Sequence, residues 1–204
     1  MTILAIVLAC LSGCREGLPP EKFVTAYEKA ALQTIDMGDY RIRLLYQSPE
    51  YVLARELRNG APPAEAQALS HRYGEAIFVT VSISPKEISG TPEDISKDFL
   101  NASLLAGEDQ FRAKLDYLQA GLRGKVRLED SKKHVLPPST YSFTRNFGMG
   151  RENTFLFAFP RRSEGRKWDM KDAELVIDDF GLNAGTIRTR LKSPGSLALR
   201  VTHE

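Results

Sequence analysis

The sequence predicts an α+β fold, in which a helical N-terminal half packs on a mainly antiparallel β-sheet or sandwich formed by the C-terminal half. Three observations predict it. Apolar residues recur at helical spacing in several segments before residue 125. After residue 125, apolar and polar residues alternate in short segments that turn residues separate. No segment repeats with a period of roughly 20 to 50 residues, which argues against a solenoid or a propeller.

The N-terminal half is predicted to contain helices and two strands. The first helix runs from Glu21 to about Ile35, before Gly38 and Asp39 break the pattern. A second helix starts at Ser48, which can cap it and precedes a proline. The other predicted elements are a half-buried strand at residues 41–46, a surface helix at 62–73, a strand at 75–84, a helix start at 91–94 and an amphipathic helix carrying Phe111, Leu115, Leu118 and Leu122.

Six alternating segments in the C-terminal half predict six strands. They are Lys125–Glu129, Thr140–Phe147, Asn153–Phe159, Ala173–Phe180, Thr186–Lys192 and Leu197–Val201. Loops with glycine at residues 147–153 and 181–185 are predicted to form hairpins. The inward side chains would be Tyr141, Phe143, Phe155, Phe157 and Phe159, which either fill a core or line a cavity.

The overall charge argues against one class of partner. The chain of 204 residues has 28 Lys and Arg against 26 Asp and Glu, a formal net charge of +2. Such a balance provides no general field for nucleic acid or anionic lipid, so strong electrostatic binding by the whole molecule is not expected. We therefore expect no nucleic-acid partner. Every charged residue follows residue 13, and the leading segment is apolar.

The N-terminal segment is typical of an export signal. The apolar run Ile3–Leu11 is much shorter than the roughly 20 residues that a helix needs to cross a bilayer. It ends in Leu11-Ser12-Gly13-Cys14, an aliphatic residue, two small residues and a cysteine. This tetrapeptide resembles the lipobox of bacterial lipoproteins. The alternative is a buried N-terminal strand or helix with Cys10 and Cys14 in the core.

The lipobox resemblance implies a domain organisation and a location. Residues 1–13 would be the signal peptide, residues 14–20 the lipidated Cys14 with a short tether, and residues 21–204 a single α+β domain. Arg15 directly after the cysteine implies, by the sorting rule of Gram-negative lipoproteins, the outer membrane, facing the periplasm. The acyl chains would make the membrane itself a partner. Because both cysteines lie in residues 1–14, the exported domain is expected to lack disulfides and cysteine-ligated zinc.

No catalytic or metal-ligating pattern is visible in the sequence. His71, His134 and His203 do not have metal-ligand spacing, and no nucleophile elbow of the Gly-x-Ser-x-Gly type occurs. We therefore expect no catalytic residue, no cofactor and no metal, with each histidine at the solvated surface. A Ser-His-Asp triad assembled by the fold stays open, since its members can be distant in sequence.

One strand presents an ordered row of cations. Arg188, Arg190 and Lys192 would share one face, which makes them a candidate contact for an anionic partner such as lipid headgroups or peptidoglycan carboxylates. The same row could discourage edge-to-edge pairing, or pair across strands with Glu174 and Asp178. Trp168, the only tryptophan, is interpreted as a core residue, with an exposed interface role as the alternative.

These features together predict a membrane-anchored lipoprotein of the bacterial cell envelope. It would act as a non-enzymatic interaction or accessory module with an envelope protein as partner. An alternative is a binding protein for an apolar or amphipathic ligand, with Phe155, Phe157 and Phe159 facing a cavity. A third hypothesis is an envelope hydrolase whose triad is not visible in the sequence.

Overall fold

The computed structural model describes residues 17–87, 100–145, 152–180 and 185–201. The lipobox with Cys14, the predicted helix start at residues 91–94, most of both predicted hairpin loops and His203 lie outside these residues. Within the described ranges, no helix is long and apolar enough to cross a membrane.

Helices and strands alternate along the first half, and short strands dominate the second. The helices are α1 (Pro20–Ala31), α2 (Pro49–Arg58), α3 (Ala66–Gly74), α4 (Asn101–Leu105) and α5 (Glu108–Ala120), with 3-10 turns at Pro63–Glu65 and Gly121–Gly124. The strands are β1 (Gln33–Met37), β2 (Tyr40–Gln47), β3 (Ala76–Pro85), β4 (Val126–Glu129), β5 (Val135–Leu136), β6 (Thr140–Thr144), β7 (Asn153–Pro160), β8 (Arg162–Ser163), β9 (Arg166–Lys167), β10 (Glu174–Ile177) and β11 (Ile187–Arg190).

Two antiparallel sheets form the body of the molecule. The large sheet has five strands in the order β1-β2-β3-β7-β6, and the small sheet has four in the order β11-β10-β4-β5. In the large sheet, Val79 is level with Tyr46 on one side and with Phe157 on the other. In the small sheet, Ile177 is level with both Val126 and Ile187. The α+β class and the antiparallel sheets are therefore confirmed.

The large sheet is covered on both faces. On one face, the alternate residues of β2, β3 and β7 share one apolar cluster with the inward residues of the small sheet and with Leu118 of α5. On the other face, Leu45 and Phe78 pack against Phe23, Val24 and Tyr51 from α1 and α2. The two sheets thus form a sandwich, but the C-terminal half does not form it alone as predicted, because β1, β2 and β3 of the large sheet belong to the N-terminal half. The first three helices form a further layer outside the sandwich.

The chain changes from helix to strand earlier than the sequence predicts. The expected helix from Glu21 to about Ile35 ends at Ala31, and Leu32 already has an extended conformation with φ −62° and ψ 128°. Residues 33–37 pair with β2, which places Ile35 level with Ile42 and against the main core. The alternate apolar residues Ile35 and Met37 are packed on the core as part of a strand, and this burial outweighs the weak helical spacing of the segment.

Five of the six predicted C-terminal strands form. Four of them are shorter than expected, and β7 extends one residue further, to Pro160. The sixth, Leu197–Val201, is not a strand. Its one ladder contact is a parallel bridge between Leu18 and Leu199. The alternating apolar residues of this segment pack on the helical layer instead, because Leu197 and Leu199 contact the cluster formed by α1 and α2.

The hydroxyl of Tyr27 links the helical layer to the large sheet. The hydroxyl of Tyr27 on α1 donates to the backbone carbonyl of Tyr46 at 3.0 Å and accepts from the amide of Ser48 at 3.2 Å. Burial raises the pKa of Tyr27 to about 12. The Ser48 Oγ in turn accepts from the amide of Tyr51 at 3.2 Å and caps α2, as its position before Pro49 predicts.

Tyr27→Phe should lower the free energy of unfolding by about 1 to 3 kcal/mol, because a buried amide and a buried carbonyl lose their partner. Denaturant unfolding of the purified domain measures it. The matched control is Tyr73→Phe, whose lost hydroxyl contacts only the exposed Arg72 side chain at 3.0 Å. The control should change stability by less than about 0.5 kcal/mol. Equal effects of the two substitutions would contradict this role for Tyr27.

Candidate functional site

The predicted row of cations lies on the outward face of the small sheet. Arg188 contacts Glu129 at 2.7 Å and Glu174 at 3.2 Å, and Arg190 contacts Glu174 at 3.5 Å. The side chain of Arg190 is 75% exposed. Lys192 follows the strand, and its backbone amide donates to the side-chain oxygen of Gln33 at 3.0 Å. Both arginines therefore form ion pairs with carboxylates of the small sheet itself.

The ion pairs continue onto the next strand. Arg127 on β4 contacts Glu129 at 2.8 Å and Asp178 at 2.6 Å. Three arginines and three carboxylates then form one chain across the small sheet, in the order Asp178, Arg127, Glu129, Arg188, Glu174 and Arg190. We call these six residues the ion strip. Its formal charge is zero.

Glu129 is the centre of the ion strip. Hydrogen bonds from Arg188 and then Arg127 lower the pKa of this carboxyl to about 2. Glu129 is level with Glu174 in the ladder, an arrangement in which two carboxylates would otherwise repel each other. Arg188 contacts both carboxylates and removes their repulsion. Val176 lies on the same outward face, level with Arg127 and Arg188, and is nevertheless completely buried.

The ion strip supports one of the interpretations that the sequence allows. Cross-strand pairing with Glu174 occurs, whereas Asp178 pairs with Arg127 of β4 and not with the predicted row. A role of Arg188, Arg190 and Lys192 in binding an anionic partner stays a prediction. A partner would have to compete with two internal carboxylates for Arg188, which makes that residue a poor contact.

A second charged group lies where two loops meet, and the sequence does not predict it. It comprises residues 130–134 and 162–172, which we call the loop corner. Nη1 of Arg166 contacts Oδ2 of Asp130 at 2.6 Å and Nδ1 of His134 at 2.5 Å. Nδ1 of His134 also lies 2.9 Å from Oδ2 of Asp130. The hydrogen bonds link the turn after β4 to the β8–β9 hairpin.

Tight turns hold the loop corner in place. Oδ1 of Asp130 accepts from the amides of Lys132 at 2.8 Å and His134 at 2.9 Å. Desolvation opposes ionisation of Asp130, but these hydrogen bonds and the His134 side chain prevail and lower its pKa. Lys133 and Glu164 have φ of 65° and 52°, and among the described residues they are the non-glycine residues with positive φ. Both turns of the corner are therefore sterically demanding.

The surface of the loop corner contains two shallow depressions beside Trp168. The larger has a volume of about 250 Å³ and the smaller about 160 Å³, and Arg166 and Trp168 line both. Trp168 is 5% exposed and belongs to the main core, so the core interpretation is confirmed. The corner carries six Lys or Arg against four Asp or Glu. Lys132, Arg162 and Lys167 are exposed and have no carboxylate partner within the described ranges.

The loop corner resembles two thirds of a catalytic triad only superficially. Asp130 and His134 are hydrogen-bonded, but Nε2 of His134 faces Nη2 of Arg166 at 3.3 Å, where a serine nucleophile would have to lie. His134 contacts no serine hydroxyl in the part of the chain that the structure describes. His71 is exposed on α3, as expected. The same described residues contain no group of three potential metal ligands.

The predicted aromatic face is inward, as expected. Phe155, Phe157 and Phe159 have no exposed surface, and Phe143 stacks on Phe155 with ring centroids 4.7 Å apart. Tyr141 stacks on Phe157 at 5.3 Å. All three phenylalanines belong to the main apolar cluster, and they line none of the three depressions described on the surface of the structure.

Comparison with known proteins adds little to this description. No family model matches the chain, and no curated protein matches it. A crystal structure of a novel protein of unknown function from Burkholderia pseudomallei K96243 is 15% identical with a TM-score of 0.36, covering 85% of this chain and 83% of that chain. A DUF4426 family protein from Pseudomonas aeruginosa PAO1 is 15% identical with a TM-score of 0.34, covering 78% of this chain and 90% of that chain. Likeness at this level carries no functional argument.

Glu129→Gln should lower the free energy of unfolding at pH 7 by about 2 kcal/mol, because two charge-assisted hydrogen bonds weaken. The pKa of Glu129 is lowered by folding, so its contribution is present above about pH 4.5 and is lost as the pH falls towards 2. The difference between wild type and variant should therefore shrink over that range. Denaturant unfolding at pH 7, 4 and 3 measures it.

The control for this substitution is Glu164→Gln, on the exposed tip of the β8–β9 hairpin. It removes the same charge and should leave stability within about 0.5 kcal/mol of wild type at each pH. If the free energies of unfolding of wild type and Glu129→Gln differed by the same amount at pH 7, 4 and 3, the charge of Glu129 would not be the source of the stabilisation.

Proposed function

We propose that this protein is a lipid-anchored accessory module of the bacterial cell envelope, held at the membrane through Cys14 and acting by contact rather than by catalysis. The sequence Leu11-Ser12-Gly13-Cys14 after a short apolar run carries the proposal. The expected membrane is the outer one, on the side of the periplasm, because Arg15 follows the cysteine. Anchoring raises the effective concentration of the domain near partners in the same membrane.

The described domain is compatible with such a role. Its core is apolar and extensive, so it does not depend on disulfides, and both cysteines of the chain lie before residue 15. An acylated Cys14 would attach this domain to the membrane through its acyl chains.

The loop corner is the better candidate for the partner contact. The ion strip has no formal charge, and each of its carboxylates is paired with an arginine of the strip. In contrast, Lys132, Arg162 and Lys167 are exposed in the loop corner and have no carboxylate partner in the described ranges. Tight turns and the buried Trp168 keep this surface rigid, which reduces the entropy lost on binding. An envelope protein with an acidic surface patch fits these charges.

Cys14→Ala should abolish incorporation of a palmitate analogue and release the protein from the membrane fraction of the native host. The thiol of Cys14 would carry the acyl chains, and Cys10 would not replace it, because the bulky Leu8 stands where a lipobox has a small residue. Metabolic labelling and fractionation measure both effects. The matched control is Cys10→Ala, which should keep label and membrane location. A Cys14→Ala protein that still took up label and stayed in the membrane would refute the anchor.

Lys132→Glu combined with Lys167→Glu should reduce crosslinking to an envelope partner several-fold, because the charge change turns attraction into repulsion. Crosslinking in the native envelope, followed by identification of the adduct, measures it. The control is Lys29→Glu combined with Arg112→Glu, an equal charge change at exposed positions of α1 and α5. If the control lost the same adduct to the same degree, overall charge and not the loop corner would be responsible.

A further inference from the structure

Leu18, which precedes α1, is hydrogen-bonded to the segment at residues 198–200. The amide of Leu18 donates to the carbonyl of Ala198 at 2.8 Å, and the amide of Arg200 donates to the carbonyl of Leu18 at 2.8 Å. The Leu18 side chain packs into the cluster formed by α1 and α2. The segment before α1 is therefore docked on the segment that ends the described chain.

Gly17 makes this docking sterically close. A Cβ atom at this position would lie 2.9 Å from the backbone nitrogen of Arg200 and 3.0 Å from the carbonyl carbon of Leu199. Backbone atoms cannot move aside as a flexible side chain can, so the close approach requires glycine. The docked segment thus begins at Gly17 at the latest.

Only Arg15 and Glu16 separate Gly17 from Cys14. An extended chain spans at most about 3.6 Å per residue, so the Cys14 and Gly17 Cα atoms lie within about 11 Å of each other. The sequence predicts a tether at residues 14–20, but four of those residues belong to the domain or dock on it. A lipid on Cys14 would consequently leave the domain almost no freedom to move away from the bilayer.

The surface around this segment has the composition of a membrane-contacting edge. Leu18, Leu197, Leu199 and Val201 are partly exposed apolar residues. Arg200 is exposed between two of them, and Lys22 is exposed in the first turn of α1, next to the single acid Glu21. Apolar side chains with interspersed cations suit the boundary between acyl chains and phosphate headgroups.

We propose that Leu18 and residues 197–201 form a membrane-docking edge, which the short link to Cys14 holds against phospholipid headgroups in one fixed orientation. This inference rests on the proposed lipid anchor. Lys22 and Arg200 would contact the headgroups only because the anchor holds them at the membrane surface. The net charge of +2 provides no long-range attraction to the membrane. The small sheet, on the far side of the large sheet, would face away from the lipid.

The test uses the full lipidated protein in vesicles of phosphatidylethanolamine and phosphatidylglycerol. Acylation would occupy the only thiol of the mature chain, so a new cysteine is the single labelling site. Ala198→Cys places a spin label on the edge, and Ala113→Cys places one on the exposed side of α5, against the opposite face of the large sheet. Both positions are exposed alanines, so the substitutions are matched.

A relaxation agent attached to lipid headgroups should broaden the signal of the label at 198 at least fivefold more than that at 113. Equal broadening at the two positions would overturn the docking edge. Ten Gly and Ser residues inserted between Glu16 and Gly17 add a mean reach of roughly 17 Å and should reduce the effect at 198 by more than half. An unchanged effect with this spacer would overturn the short link as its cause.

Failure of this inference and failure of the anchor give different results. If the label at 198 is not broadened while the wild type stays membrane-bound and Cys14→Ala is released, the edge is wrong and the anchor stands. If Cys14→Ala stays membrane-bound, the anchor fails, and the inference fails with it.

Discussion

The burial of β3 on both faces is the constraint on which the rest of the molecule depends. Ile77, Val79, Val81 and Ile83 point to one side and have no exposed surface, because the small sheet and α5 cover them. Phe78 points to the other side and meets Tyr73 of α3 edge-on, with centroids 6.3 Å apart. A central strand buried in this way needs a cover on each face. The helical layer and the small sheet are those covers, and the small sheet carries the ion strip on its outward face.

The ion strip and the loop corner show how position decides what the same residue types do. On the small sheet, Arg127 lies two residues before Glu129 on the same face of β4, and antiparallel register brings Arg188 of β11 within reach of Glu129, so that the charges neutralise one another. In the loop corner, Arg166 is held by Asp130, but the exposed Lys132 and Lys167 have no carboxylate partner among the described residues. Cross-strand pairing removes charge from the surface, whereas a tight turn leaves it exposed.

The sequence predicts what depends on local alternation and misses what depends on distant pairing. The strand at residues 75–84, the cap at Ser48 and the inward rings of Phe155, Phe157 and Phe159 follow from neighbouring residues, and the structure confirms them. The end of α1 at Ala31 does not follow, since the pairing of residues 33–37 with β2 decides it. Likewise, Asp130 and Arg166 are in separate turns, and only the sandwich brings them together. The sequence names Glu174 as a possible partner of the cation row, but it does not name Glu129, because strand register decides which carboxylate meets Arg188.

The bridge between Leu18 and Leu199 also has a consequence for the order of folding. Its two residues are 181 positions apart, so closing this contact carries a large loop-entropy cost and requires residue 199 to be present. In a chain that is exported from its N-terminus and acylated as proposed, Leu18 would emerge long before Leu199. Residues 17 and 18 would then remain undocked, and Cys14 would remain accessible to modifying enzymes, until residue 199 has emerged.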